Sequence, residues 1–276
     1  MKLLDQLITA LSPSAGLNRK RARRAVEDLD KISKRLYEAA SYSHRTEGWF
    51  APQTSADTEN LYAAQTLRAR SRDLVRNNPY ASRAVRIWTS NAIGHGIIPQ
   101  IKCENESKRE RIEKEFEDWA ETTECDVEGR KNFYETQSLA LASVIESGDV
   151  LARIWYRNSY KKPNFQIQLL EIDHLDSYKQ SYSTESTITQ GGIEFSRKTG
   201  KRSAYWLFHE HPGNTMAFGV AGISSFRISA DEILHIYRQD RPGQSSGTPW
   251  CASVLTRLKD FDGFEDAQLR VCFKSP

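Results

Sequence analysis

The sequence predicts an α+β protein in which helices and strands are segregated along the chain. Two observations carry this: apolar residues recur every three to four positions up to about residue 146, and the period then changes to two. A third is punctuation, because Asn78-Pro79 and Gly148 stand where one pattern stops and the next begins. The expected order is a helical N-terminal half, a mostly antiparallel β region, and a final helix that breaks off at the chain end.

The first strong helix runs through Leu61, Ala64, Leu67, Ser71, Leu74 and Val75, which share one face, while Arg68, Arg70, Arg72 and Arg76 belong to the other. Pro79 donates no N–H, so this helix should end near Asn77. Asn78 then caps a second helix with proline at its first position, ending at Gly94 or Gly96. Ile97 to Lys102 reads as a short edge strand. A third helix from about Ser107 turns Ile112, Phe116 and Trp119 inward and carries acid outside, with eleven acidic against four basic residues between Glu104 and Glu128. Those carboxylates have two possible roles: pairing with the arginine face, within the chain or across a subunit boundary, or simple solvation. A fourth helix spans Asn132 to Glu146.

Strands are expected at Asp149–Tyr156, Phe165–Ile172, Gly192–Phe195, Ser203–His209 and Ile233–Tyr237, the third and fourth forming a hairpin around Arg197 to Gly200. A Gly- and Ser-rich excursion fills Pro212 to Ser225. Arg241 to Pro249 is a loop of turn formers, and a last helix starts near Trp250 with Val254, Leu255, Leu258, Phe261 and Leu269 on its apolar side.

Composition narrows the function. The 276 residues are 38% hydrophobic with a mean hydropathy of -0.63, at the polar end of globular. No apolar run approaches the roughly 20 residues that span a bilayer, and Met1 to Leu11 is too broken by polar residues for a signal peptide, so a cytosolic chain is expected. Cys103, Cys125, Cys251 and Cys272 lie far apart without a CxxC pair, which indicates neither a disulfide framework nor zinc. Net charge is +3, yet residues 1–45 hold ten Lys or Arg against five Asp or Glu. Arg19, Lys20, Arg21, Arg23 and Arg24 centre that arm. They are candidates for nucleic-acid or partner contact, but no aromatic residue is interleaved for base stacking, which favours a solvated leader. Tyr37, Tyr42, Trp49 and Phe50 come next as anchors that would pin an extended segment to a neighbouring surface.

Chemistry is sparse. Gly243-Gln-Ser-Ser-Gly247 fits the G-x-S-x-G pattern with Ser245 as nucleophile, but no apolar strand delivers it, Pro249 interrupts the segment after it, and no histidine comes after His235. His174, His209, His211 and His235 show no metal-ligand spacing. Glu171, Asp173 and Asp176 read either as an ion-binding set or as solvated acids at a strand end. Phosphate-binding glycine loops are missing, so ATP-driven work would fall to another protein. No catalytic, cofactor-binding or metal-binding residue is assigned. Arg70, Arg72 and Arg76 are the best functional charges: guanidinium forks suit interfacial ion pairs, which favours contact between subunits over contact with DNA. A plain amphipathic helix is the alternative.

The run RARSRDLVRNNPYASRAV (68–85) with Asn91 to Ile97 resembles the lambda-type portal proteins of tailed bacteriophages. Further blocks agree in order: Gln168 to Asp173, Gly192 to Glu194, Ala204 to Trp206 with His211 to Gly213, Arg241 to Gln244 leading to Thr248 to Trp250, and Leu258 to Asp260. The resemblance implies a non-enzymatic ring, commonly of twelve copies, at one capsid vertex. It would dock the terminase large subunit, the capsid and head–tail joining proteins, and pass double-stranded DNA without sequence specificity. It also implies a virion location, with the host cytoplasm before assembly, no membrane and no cofactor. By that likeness, residues 1–57 are a basic arm with an extended segment, 58–249 a wing-like α+β domain, and 250–276 the start of a stem helix. The clip, second stem helix and crown of the family are not found, so a truncated prophage gene or a fragment is expected. The competing readings are a nucleic-acid-binding module built on the basic arm and, further off, a serine hydrolase at Ser245.

Overall fold

The computed structural model describes residues 14–15, 18–19, 21–27, 43–156, 163–181, 186–214 and 224–274. Residues 1–53 and 54–276 form separate compact units. In the first, residues 21–27 are helical, and Trp49 and Phe50 are exposed rather than buried in this chain. Tyr37 and Tyr42 lie outside the described residues.

The second unit begins where Ser55 accepts a hydrogen bond from the Thr58 N–H and starts α1 (Ala56–Asn77). The proline stop works as expected. Asn78 Oδ1 accepts from the N–H groups of Tyr80 and Ala81, both at 3.0 Å, and opens α2 (Pro79–Ala92). Asn78 is itself buried, and its amide also donates to Asp262 near the chain end, so one residue caps a helix and ties down a distant one.

Residues 97–103 are not the expected strand. Ile97 exchanges its N–H and C=O with the side chain of Gln137, at 2.7 and 3.2 Å, instead of with another backbone. Ile97 and Ile98 are both exposed, so no alternation fixes a register. Helix α3 (Glu106–Ala120) is held by Trp119 and Phe116, which meet Phe133 and, through Trp119, Phe165. Helix α4 (Phe133–Ser147) opens with a capping box between Asn132 and Glu135. It stops at Gly148, where φ is +98° and an added Cβ would lie 2.7 to 2.9 Å from the Thr248–Pro249 backbone.

Beyond Gly148 the antiparallel β region divides into two sheets. The first has the order β2–β1–β7, from β1 (Asp149–Tyr156), β2 (Phe165–Glu171) and β7 (Ile233–Tyr237). The second runs β3–β4–β5–β6: β3 (Thr187–Gln190), β4 (Ile193–Ser196), β5 (Arg202–Phe208) and β6 (Ser225–Ser229). All these pairings are antiparallel. Strands β3 and β6 were not legible because they are four or five residues long and partly Ser or Thr.

Period-two alternation assigns the faces. Val150 and Leu169 pack against Ala140 and Val144 of α4. Their neighbours Leu151 and Leu170 face the other way, into a core with Ile193, Tyr205, Leu207 and Ile228 of the second sheet. The first sheet is thus the middle layer between α4 and the second sheet. The last helix, α5 (Leu255–Lys274), starts five residues later than expected. Residues 250–254 form turns, closed by the Ala252 N–H on the Pro249 carbonyl and the Val254 N–H on the Cys251 carbonyl, both at 2.9 Å; the Trp250 N–H bonds the Ile145 carbonyl at 3.1 Å and its ring packs edge-on to Trp88. Helix α5 docks through Leu255 on Leu74 and Ala81.

Candidate functional site

Positions 68 and 72 of α1 are one turn apart and flank buried Ser71, so both arginines turn into the body, while Arg70 and Arg76 stay exposed. The chain beyond β2 comes to meet them. A single 3₁₀ turn, Ile172–His174, lifts Asp173 off the sheet edge toward α1. The Arg72 guanidinium donates to Asp173 Oδ2 at 2.6 Å and, through Nε, to Ser147 Oγ at 2.9 Å, and pairs with Glu171 at 3.0 Å. Arg68 adds a charge 3.5 Å from Asp173 Oδ1. Burial by itself would raise the Asp173 carboxyl, but Arg68 and Arg72, with His211 behind them, hold it below the ordinary value of 3.8.

This changes the reading of the arginine face. Arg72 is engaged inside the chain, along with Arg68, and their carboxylates come from the end of β2 rather than from the acidic stretch 104–128. Several of those acids pair locally, Glu106 and Glu113 with Arg109, Glu115 with Arg111 and Glu128 with Arg130. Arg70 and Arg76 have no carboxylate partner among the described residues. In the basic arm Arg19, Arg21 and Arg24 are exposed and Arg23 partly so, and Lys20 lies outside the described residues.

Glu171, Asp173 and His211 bring their ligand atoms within 4.8 Å of one another. A metal is a poor occupant there, since two guanidinium groups already neutralise the carboxylates and would repel another cation. His174 packs edge-on to His211 at 5.7 Å, and burial pushes its imidazole pKa down.

Beside this pair network is an open cleft lined by Arg72, Val75, Arg76, Ser143, Glu146 and Glu171. Burial drives the Glu146 carboxyl upward and nearby Glu171 adds to the effect, against Arg72 and Arg76. A raised folded-state pKa means stability that is present below the unfolded value and lost as pH rises through the folded one. Glu146→Gln should therefore melt a few degrees higher than wild type at pH 7. The gain should vanish below about pH 4.5, where the wild-type carboxyl is protonated in both states. Thermal melts across that range check it, and a variant that melts lower at pH 7 would show that Glu146 is needed as an anion.

The loop from Asp240 to Pro249 is strapped down at both ends. Arg241 bonds Glu59 and the Thr54 carbonyl, the Ser245 N–H bonds Asp57, and Asn60 bonds the Ser246 carbonyl, all at the start of α1. At its other side, Asp149 Oδ2 accepts from Ser246 Oγ, from the Gly247 N–H at 3.0 Å and from His235 Nε2 at 3.2 Å. Serine, histidine and aspartate do meet here, but not as a hydrolase needs. The serine engaged is Ser246, it bonds the aspartate instead of the histidine, and the side chains of His235 and Asp149 are both 0% exposed. Nothing in the spacing of Asp149, His235 and Ser246 announced this hub.

The helical half, the two sheets and this strapped loop match a known family as a whole. A family model described as phage portal protein, lambda family, matches residues 42–271. The chain belongs to the lambda family of phage portal proteins. A probable portal protein of Halomonas phage phiHAP-1 is 29% identical over 244 residues, which covers 85% of this chain and 46% of that relative. The chain thus spans a little under half the length of that relative. The matched region takes in α1 through most of α5, so the arginine pair network and the loop hub both lie within the lambda-portal portion. Among the described residues, no helix is long and apolar enough to cross a membrane.

Proposed function

We propose that this chain is a subunit of a portal ring, through which double-stranded DNA enters and leaves a phage capsid. The observation that carries the reading is the family match across residues 42–271, which runs through both the helical and the β halves and so tracks the architecture rather than one motif. In this proposal residues 58–249 form the wing and residues from 250 onward begin the stem. The ring, of twelve copies as the resemblance implies, sits at one vertex of the virion after assembly from subunits in the host cytoplasm. The terminase large subunit, the capsid and head–tail joining proteins dock on it. Its work is geometric and needs no covalent chemistry by the chain. DNA of any sequence must pass, so contact with it is by charge and shape without reading bases.

A chimera tests the proposal. The matched region of the Halomonas phage relative is replaced by the corresponding region of this chain, and the product is viewed by negative-stain electron microscopy. Closed rings with an axial channel are expected. A chimera that folds by circular dichroism and stays monomeric overturns the reading.

A further inference from the structure

Two exposed faces of opposite charge stand at opposite ends of α4. At its N-terminal end Phe133 packs on Trp119 and fixes α3, whose outer stripe carries Glu110, Glu117 and Glu121 around Lys114. These three are exposed and have no cationic partner among the described residues. On a helix of about 100° per residue they fall within a narrow arc, opposite the packed Trp119. At the C-terminal end of α4, Ser147 holds Arg72 and so fixes the end of α1 and the start of α2. There Arg70, Arg76 and Arg83 are exposed, with no carboxylate within 4 Å among the described residues; Arg70 and Arg76 flank the outer side of α1 about 120° apart, Arg76 at the edge of the cleft that holds Glu146. The fifteen residues of α4 make it about 22 Å long, so its two ends stand farther apart than an arginine side chain extends. Neither set of charges has a partner of opposite sign within 4 Å among the described residues.

We infer that the acidic stripe of α3 in one copy docks on the arginine face of α1 and α2 in the next, as the heterologous, head-to-tail contact of an oligomer. The inference rests on the ring proposal and names the surfaces that join its subunits. Two complementary patches on different ends of one chain generate a closed ring when the rotation between copies closes, and an open chain when it does not. Arginine suits the contact because its fork pairs a carboxylate through two parallel hydrogen bonds. The occupant is a second copy rather than DNA, because this chain itself carries the unpaired acids that match the unpaired arginines. A duplex would leave the acidic stripe without a partner.

Two full-length variants test it, Arg70, Arg76 and Arg83→Glu in one and Glu110, Glu117 and Glu121→Lys in the other. In sedimentation velocity, wild type should self-associate more strongly at low than at high salt. Each variant alone should associate more weakly by roughly tenfold or more, because like charges then face each other. An equimolar mixture should recover association, since every contact in it again joins opposite charges, and that recovery shows that both variants are folded. Wild type that stays monomeric at low salt, variants that associate as wild type does, or a mixture that does not recover would each overturn the contact. A first variant that loses binding to a DNA duplex while self-associating normally would overturn it in favour of nucleic acid. If the chimera forms rings that these changes leave untouched, the interface fails and the ring proposal stands; if the chimera never forms rings, the ring proposal fails first.

Discussion

Asp173→Ala should be among the most damaging single changes outside the apolar core, costing about 3 kcal/mol, because it leaves half-buried Arg72 with only the exposed Glu171 carboxylate and takes from buried Arg68 the carboxylate beside it. The side chains of Arg68, Arg72 and Asp173 are 9%, 22% and 16% exposed, so solvent cannot take over the lost charge. For a unit of this size that corresponds to a fall in melting temperature of about 6–12 °C. The effect has a pH signature. The folded-state pKa of Asp173 lies below its ordinary 3.8, so its contribution is full above that value and is lost as pH falls through the depressed one. The gap between wild type and Asp173→Asn should therefore narrow below about pH 4. Arg72→Gln should destabilise the monomer in the same sense, whereas Arg70→Gln should leave its melting unchanged and act on assembly alone. An Asp173→Ala protein that melts with wild type would mean that the two arginines find other partners.

Asp149→Ala should be at least as costly, about 4 kcal/mol, for a different reason. The Ser246 hydroxyl, the Gly247 N–H and the His235 ring all lose the same acceptor oxygen when the carboxylate is gone. Gly247 and the His235 side chain are buried, so their donors lose it away from water. Asp149→Asn keeps the shape and one acceptor oxygen and should recover part of the loss. Because the hub clamps the 240–249 loop to β1, local opening should accompany the destabilisation. Hydrogen exchange at Gly247, and at Ser245 where the N–H bonds Asp57, should rise ahead of the core strands. Exchange that rises uniformly would show that the loop is not separately held by Asp149.

The helix breaks and most strands could be read from residues alone, because their causes are local. Pro79 lacks a donor, Asn78 can accept two N–H groups, and Gly148 adopts φ +98°, and each of these facts is complete within a few positions. The same holds for the alternation at Val150-Leu151 and Leu169-Leu170, which marks strands buried on both faces without naming what buries them. Failures came where local signal was weak or contradicted. Ile97 to Lys102 has strand-like residues but no neighbouring strand among the described residues, and Gln137 takes its backbone groups instead. Trp250 opens turns instead of a helix, closed by the Ala252 N–H on the Pro249 carbonyl and the Val254 N–H on the Cys251 carbonyl. The β region divided into two sheets because Leu207 and Tyr205 pack across onto Leu151, a choice made by shape at long range.

The arginines separate the two kinds of information most clearly. By itself the sequence determined that α1 presents a row of guanidinium groups, that the family is the lambda-type portal proteins, and that helices precede sheets. Only the tertiary structure decided which arginine does what. Arg72 finds Asp173, 101 positions away, because a 3₁₀ turn at the end of β2 carries that carboxylate up to α1. Arg70 and Arg76, on the same helix and within four residues, make no ion pair within 4 Å among the described residues, and Arg76 reaches only the edge of the Glu146 cleft. Helical periodicity places a side chain on a face to within an arc of the helix, but an ion pair is decided over about 4 Å between groups that the rest of the fold must bring together.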